Sequence, residues 1–249
     1  MAAPNETQRA CLGLIPARSG SVRIPGKNVK PLAGLPLVVY SIASALDSGV
    51  FAKVVVSTDS KEIGGVAQHY GADVLIRPPE YATDISPDIE WVRHALTKLP
   101  GYAAFAILRP TSPFRKAETI RRAWREFLGS DAHSLRAVEK VSQHPAKMWV
   151  IRNGYLHNLM PFGPESQPWH SSQMPTLPPV FVQNASLEIA WTYIVEDMGS
   201  ISGEVIKAFH TFDDEGYDLN TLHDWQIAEA MVSTGVAKLP EVKCAEVKA

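Results

Sequence analysis

The 249-residue sequence predicts an α/β domain in which a mostly parallel sheet carries helices on both faces. Three observations lead there. Short apolar runs alternate with amphipathic stretches in a βαβα order, and that order implies parallel strands joined by helical crossovers. Glycines stand at the ends of the amphipathic stretches, where helices stop. The rhythm is broken by one long irregular stretch and then resumes, so one domain carries an inserted segment.

Residues 12–17, at Leu12 and onward, form an apolar run and read as the first buried strand. A Gly/Pro/Lys-rich loop covers about 18–36. Residues 37–46 have helical periodicity, closed by Gly49. The run 53–57 is rich in valine and reads as a second strand. Residues 60–70 form a helix ending at Gly71, and 73–76 a short strand. A helix over 88–98 is stopped by Pro100 and Gly101. Residues 103–108 make another strand, and 116–128 a helix followed by Gly129. Beyond residue 140 the pattern lapses, and 148–179 is rich in Pro, Gly, His and Trp, as expected of a lid, arm or interface. Strands over 187–194 and 205–209 and a last helix over 221–232 complete the series. The domain is expected to span 10–237 with an arm at about 142–182, followed by a tail over 238–249. No internal repeat or low-complexity block interrupts it.

Composition narrows the function. Lys and Arg number 24 and Asp and Glu 26, a net charge of -2, which gives no electrostatic footprint for nucleic acid or an anionic membrane. No apolar run approaches the roughly 20 residues of a membrane span, and the polar first ten residues, with Glu6, do not read as a signal peptide. The two cysteines, Cys11 and Cys244, fit a reduced cytoplasmic protein without a bridge.

Chemistry concentrates in Leu14-Ile-Pro-Ala-Arg-Ser-Gly-Ser-Val-Arg-Ile-Pro-Gly-Lys-Asn28. The segment follows the first strand, at the carboxyl edge of the sheet, where open α/β folds bind ligands. Gly20, Ser21 and Gly26 let backbone N–H groups approach a polyphosphate. Arg18, Arg23 and Lys27 supply charge-assisted hydrogen bonds to it. The spacing excludes two common phosphate loops. Five residues separate Gly20 from Gly26, Pro25 lies between them and Asn28 follows Lys27, so a Walker A loop is ruled out; G-x-G-x-x-G is absent. The histidines have no H-E-x-x-H spacing, and no G-x-S-x-G elbow supports hydrolase chemistry. Of the histidines, His170 on the irregular stretch is the strongest functional candidate.

This loop resembles the nucleotide-binding loop of the CMP-sialate synthetases (N-acylneuraminate cytidylyltransferases). Further similarities follow in the same order. They are Pro31-Leu-Ala-Gly-Leu-Pro-Leu37, Val55-Val-Ser-Thr-Asp59, Arg77-Pro-Pro-Glu-Tyr-Ala-Thr-Asp84 and Leu108-Arg-Pro-Thr-Ser-Pro-Phe-Arg115, with weaker ones at His144-Pro-Ala-Lys147 and Gln183-Asn184. The related CMP-Kdo synthetases share the Arg-x-Pro-Gly-Lys pattern but fit the later motifs less well.

The resemblance implies a three-layer Rossmann-like nucleotidyltransferase fold with a protruding dimerisation segment. It also implies a reaction, in which a sugar hydroxyl attacks the α-phosphate of CTP and pyrophosphate leaves. Arg18, Ser19, Gly20, Ser21, Arg23, Lys27 and Asn28 would bind the nucleotide, with Arg77, Thr83 and Asp84 bordering the cytidine; Arg18, Lys27 and Asp218 would serve catalysis. Mg²⁺ is the implied cofactor. The family's Asp-x-Asp pair falls on Gly216-Tyr-Asp-Leu-Asn-Thr221, so Asp218 and Asn220 are the metal candidates and the second position is neutral. Asp213, Asp214 and Glu215 lie close by and could compensate or form a solvated turn.

The acceptor side departs from the family. Arg109 replaces a glutamine, and Val182-Gln-Asn-Ala185 lacks an arginine. An acidic sugar still needs a cation for its carboxylate, which Arg109 or Lys147 would supply; Thr111, Ser112, Gln183, Asn184 and Glu188 are further acceptor candidates. Glu188 fits either an acceptor hydroxyl or amine, or a pairing role within the fold. A homodimer is expected through the arm, with Trp149, Phe162 and Trp169 at the contact. Two other readings stay open at the level of sequence: a nucleotidyltransferase of the same fold with another nucleotide or acceptor, and an inactive relative that only binds nucleotide.

Overall fold

In the computed structural model, residues 10–244 are described. The strand β1 (Cys11–Pro16) runs into the glycine-containing loop and a small hairpin, β2 (Pro31–Leu32) and β3 (Leu35–Pro36). Ala33 and Gly34 turn that hairpin, both with positive φ (47° and 90°), as a two-residue turn requires. There follow α1 (Leu37–Ser48), β4 (Phe51–Thr58), α2 (Lys61–His69), β5 (Asp73–Ile76), α3 (Asp88–Lys98), β6 (Ala104–Ile107) and α4 (Ala117–Leu128). The chain continues through β7 (Ser134–Lys140), β8 (Trp149–Arg152), β9 (Tyr155–Asn158), β10 (Phe181–Trp191), α5 (Tyr193–Asp197), β11 (Ile206–His210) and α6 (Leu222–Ser233).

Seven strands form one sheet in the order β11-β7-β10-β6-β1-β4-β5. The pairs β1–β4, β1–β6 and β4–β5 are parallel, while β10 runs antiparallel to β6. Both faces are covered. On one, Cys11 and Ile15 of β1 pack with Val38, Val39 and Ile42 of α1 and with Ile120, Ala123 and Phe127 of α4. On the other, Leu12 and Leu14 meet Trp91 and Val92 of α3 and Ile194 and Val195 of α5. Successive β1 side chains thus enter opposite cores, which is the period of a strand buried on both sides. A third cluster sits under the loop, where Ile24, Leu32, Leu37, Phe114, Leu219 and Trp225 pack together. Ile24 is the loop's own anchor, and Leu219 ties in the segment that carries Asp218.

The topology decides where a ligand can go. From β1 the chain proceeds outward to β4 and β5, then returns to place β6 on the other side of β1. The loops leaving β1 and β6 therefore diverge, with α1 on one face and α3 on the other, and a crevice opens between them at the carboxyl ends.

Sequence patterning missed the β2–β3 hairpin, which was expected as loop, together with β7, the β8–β9 hairpin and α5. The strand expected at 187–194 instead covers Phe181–Trp191, and α5 follows it. Contacts within the chain divide it into two units, residues 138–183 and the remainder; the arm was expected at about 142–182. The smaller unit contains the β8–β9 hairpin, turned by Asn153 and Gly154 with φ of 51° and 82°. It also contains one-turn helices at Pro145–Lys147, Trp169–Ser171 and Met174–Thr176. Inside it the Trp169 ring contacts Phe162 and His144 edge-on, and Trp149 lies against His170.

Leu239 and Val242, in the stretch expected as a tail, pack on the cluster under the loop. Cys11 is buried in β1 and Cys244 exposed, both unbridged. The N-terminal segment read as no signal peptide lies, up to residue 9, outside the described residues. Among the described residues no helix is long and apolar enough to cross a membrane.

Candidate active site

A cavity of about 610 Å³ occupies the crevice. Five cationic side chains line it, those of Arg18, Arg23, Lys27, Arg77 and Arg109, against two carboxylates, Asp84 and Asp88. That surplus suits a polyanion.

The loop is fixed from within. Gly26 takes φ of 64°, and its carbonyl accepts from the N–H groups of Val29 and Lys30. Asn28 is buried, and its Nδ2 donates to the Arg18 carbonyl at 2.8 Å. Its own carbonyl accepts from Val38 N at the start of α1. Ser19 does not line the cavity; its N–H and hydroxyl both donate to Asp59 (2.8 and 2.6 Å). Burial raises the Asp59 pKa, but these two bonds, with the Arg77 charge, outweigh it and hold the carboxyl below its ordinary range. Gly20 has open space where a Cβ would stand. Ser21, Arg23, Lys27 and Asn28 face the cavity as expected. Lys27 Nζ donates to the Leu219 carbonyl at 3.2 Å. Burial lowers its pKa, and the neighbouring Asp218 carboxylate pulls it back up.

The segment after β5 forms the next wall. Arg77 is buried, donates to the carbonyls of Ser57 (2.6 Å) and Tyr81 (3.3 Å), and lies over the Trp91 ring. Burial brings its pKa down to about 10. Its guanidinium thus braces the wall. Asp84 pairs with Arg18 and so joins this wall to the loop. The Thr83 hydroxyl shares a 2.6 Å hydrogen bond with Ser86.

Arg109 lies on the cavity wall, but it is no free cation. Its Nη2 donates to Asp88 (2.5 Å) and to Glu188 (3.0 Å), and Glu188 in turn pairs with Arg136. Burial alone would lower the Arg109 pKa; the two carboxylates more than reverse that and raise it. Glu188 therefore has the pairing role within the fold. Asp88, Ser86, Trp91 and Asp59 were not singled out from sequence: each reads there as a helix or turn residue, and only the fold brings it to this site.

Burial raises the Asp88 pKa, but Arg109, the Trp91 N–H and Arg77 outweigh it and hold the carboxyl below its ordinary range. A carboxyl lowered on folding stabilises above its unfolded pKa of about 3.9, and that contribution is lost as pH falls through the folded value. Asp88→Asn is thus expected to lower the urea midpoint at pH 7, with the difference from wild type closing below about pH 4. A difference that persists undiminished in acid rules out the ion pair as its source.

Thr111 lines the cavity, and its carbonyl accepts from Leu219 N at 2.8 Å. Ser112 is buried with its hydroxyl unpartnered. Asn184 bonds Thr211 and the Ser186 N–H within β10 and does not line the cavity. Lys147, whose Nζ donates to the His170 carbonyl, and exposed Gln183 belong to the smaller unit. His170 contacts Ser171 and Trp149 there.

Among the described residues no group of three or more His, Cys, Asp or Glu side chains could hold a metal ion. Two carboxylates of the acidic turn are committed elsewhere, while Asp213 is exposed: Glu215 bonds Arg122, Thr119 and Phe212 N, and Asp214 pairs with Lys116 at 3.7 Å. Asp224 caps α6. Asp218 differs. Its Oδ2 accepts from Asn220 Nδ2, whereas Oδ1 is buried without a hydrogen-bond partner. A buried, unpartnered carboxylate oxygen is a natural place for a cation. Magnesium commonly takes one or two carboxylates and completes its shell with water and substrate phosphates, so Asp218 fits the group. Asn220 turns its amide nitrogen to the carboxylate and so orients it.

Residues 12–157 match the family described as cytidylyltransferase. This chain belongs to the cytidylyltransferase family. It is 36% identical over 228 residues to a CMP-N,N'-diacetyllegionaminic acid synthase of Legionella pneumophila, covering 89% of this chain and 95% of the relative. It is 47% identical over 112 residues to an N-acylneuraminate cytidylyltransferase of Escherichia coli O18:K1:H7, covering 45% of this chain but only 27% of that relative's length. Among solved structures, a CMP:2-keto-3-deoxy-manno-octonic acid synthetase complexed with CTP superposes with a TM-score of 0.69 at 14% identity, covering 91% of this chain and 99% of the other. That likeness, with the mostly parallel sheet, places the fold in the Rossmann-like nucleotidyltransferase class.

Proposed function

We propose that this cytidylyltransferase transfers CMP from CTP to an acidic nonulosonic sugar with release of pyrophosphate. The observation that carries this reading is the cationic cavity at the divergence of β1 and β6, walled by the loop that holds Arg18 and Lys27. The Legionella relative, matched over nearly its whole length, carries the name of an enzyme of that kind.

In the reaction an acceptor hydroxyl forms a new bond to the α-phosphorus of CTP. The bond to the bridging oxygen breaks, pyrophosphate leaves with that electron pair, and the hydroxyl proton is released to solvent. Positioning and charge neutralisation dominate such chemistry. Lys27, Arg23 and the N–H groups about Ser21 bind the triphosphate; Arg18, tethered to Asp84, closes the loop against the wall. Arg77, Thr83 and Asp84 frame the cytidine. Asp218, oriented by Asn220, would hold Mg²⁺, which would supply neutralisation of phosphate charge.

Arg109 is already balanced by Asp88 and Glu188, so it contributes fixed hydrogen bonds to the acceptor rather than net charge. Thr111, which lines the cavity, and its neighbour Ser112 remain acceptor candidates. The protein works as a homodimer in the cytoplasm. Support for the dimer is the apolar surface of the smaller unit, where Ile151, Tyr155 and Leu156 are 72%, 75% and 60% exposed and Trp149 and Phe162 are exposed too; aromatic anchors are typical of interfaces. Support for the compartment is the pair of unbridged cysteines.

The test is pyrophosphate release with Mg²⁺, each nucleoside triphosphate in turn, and a panel of nonulosonic acids, 2-keto-3-deoxy-manno-octonic acid and neutral sugars. Release is expected with CTP and a nonulosonic acid alone. Release with another triphosphate or a neutral sugar overturns the reading; CTP binding without release from any acceptor points to a binding-only relative.

A further inference from the structure

Arg115 ends the Arg109-Pro-Thr-Ser-Pro-Phe-Arg115 segment and is 1% exposed. A buried cation is costly unless paired, yet among the described residues its side chain meets no carboxylate within ion-pair distance. Its partners are neutral oxygens. Nη1 donates to the carbonyls of Ser186 and, at 3.3 Å, Arg109, and Nη2 donates to the Ser41 hydroxyl at 2.7 Å. Burial presses its pKa down to about 9. A guanidinium kept under that penalty must be used for its geometry, a planar fork of fixed donors.

What the fork holds is specific. The Arg109 carbonyl, which also receives the Ser41 hydroxyl at 3.3 Å, belongs to the residue on the cavity wall. Ser186 precedes by two positions Glu188, the carboxylate that pairs with Arg109. Both ends of that ion pair are therefore anchored, through main chain, on one buried side chain. The same turn presents the Thr111 carbonyl to Leu219 N, and the Leu219 carbonyl receives Lys27.

We infer that Arg115 is a positioning residue: it fixes the backbone of the 109–112 turn and of β10, and so sets the cavity-facing Arg109 side chain and, through Thr111 and Leu219, the segment bearing Asp218. It touches no substrate. The kinetic half of this inference rests on the proposed cytidylyl transfer; the structural half does not.

Arg115→Met keeps the length and loses the fork, Arg115→Lys keeps the charge, and Ser41→Ala removes one partner while leaving the buried cation in place. Amide hydrogen exchange is read first. The Leu219 amide, bonded to Thr111, is expected to exchange at least about tenfold faster in Arg115→Met, the scale of one weakened hydrogen bond, while amides of β4 and β5 keep their wild-type rates. Kinetics follow. The acceptor KM is expected to rise about tenfold, with a smaller loss of CTP affinity transmitted through Leu219 to Lys27 and Asp218, Arg115→Lys recovering part of the loss and Ser41→Ala showing the same pattern more weakly. Unchanged Leu219 exchange in Arg115→Met and Ser41→Ala overturns the inference, as does an equal loss for CTP and acceptor. If Arg115→Met does not fold, Ser41→Ala and Arg115→Lys decide it on the same two readouts. A wild-type protein that releases no pyrophosphate sinks the proposed reaction instead, and the exchange data still judge Arg115.

Discussion

Lys27→Ala is expected to lower turnover with CTP by at least about tenfold, the effect of losing one charge-stabilising contact of roughly 1.4 kcal/mol. The reason lies in how the lysine is presented. Gly26, at φ of 64°, turns the chain so that the Ile24 carbonyl accepts from Lys27 N and the Gly26 carbonyl from Val29 and Lys30. Ile24 is anchored in the cluster with Leu219 and Trp225, and Asn28 is tied to the Arg18 carbonyl. A cation on so fixed a loop needs no rearrangement as negative charge shifts toward the departing pyrophosphate, which is the condition under which such groups accelerate a reaction. In the structure Lys27 donates to the Leu219 carbonyl, and its charge also attracts the nearby Asp218 carboxylate, so alanine removes that attraction together with the positive charge. Steady-state kinetics and thermal unfolding separate the outcomes: a large fall in turnover with little change in stability is expected. Lys27→Arg is expected to recover part of the rate. Near-normal kinetics in Lys27→Ala remove the loop from the mechanism.

Sequence patterning located the well-buried strands β1, β4 and β6, and also the more exposed β5 and β11. β1 and β6 are nearly continuous apolar runs and β4 centres on three valines, the composition of strands covered on both faces. β7 escaped because its pattern is interrupted by charge. Ser134, Leu135 and Ala137 are buried, but Arg136 stands among them because its partner, Glu188, arrives from β10. No local window contains both residues. The β8–β9 hairpin escaped for the opposite reason. Its Asn153-Gly154 turn is a plain hairpin signal, but the flanking strands are exposed throughout or nearly so and show no alternation.

The site divides in the same way. The loop proposed to bind phosphates is one contiguous segment, and its glycines and cations stand together in the sequence. The acceptor wall is assembled from residues far apart in the chain, and residue type alone misreads it. Arg109 looks from sequence like a cation awaiting an anion; in the fold Asp88 and Glu188 already satisfy it. The run Asp213-Asp214-Glu215 looks like a reserve of metal ligands, yet Glu215 and Asp214 are held by α4 side chains and the adjoining loop.

Asp218 is set apart from that run by its buried, unpartnered Oδ1, and Asp218→Asn is expected to raise the Mg²⁺ concentration for half-maximal rate by at least about tenfold, the scale of one lost full charge at a hard-cation site. The substitution is nearly isosteric, and an amide oxygen can still accept from Asn220, so the fold of the 216–221 segment is expected to survive. What disappears is the negative charge. With it goes the pull on the Lys27 ammonium, whose pKa the Asp218 carboxylate raises against burial; the variant therefore holds its lysine in a less favourable setting for a proton as well. A second readout does not depend on turnover. A ligand that binds only the folded state stabilises it in proportion to the logarithm of its saturation, so Mg²⁺ with CTP should raise the melting temperature of wild type more than that of the variant, while the two melt alike without ligands. Asn220→Asp supplies the complementary arm: it places a second carboxylate beside the first and is expected to lower the Mg²⁺ requirement, since ligand charge sets affinity at such sites. An unchanged metal dependence in Asp218→Asn locates the metal away from this segment and leaves the unpartnered Oδ1 to be explained by an internal water.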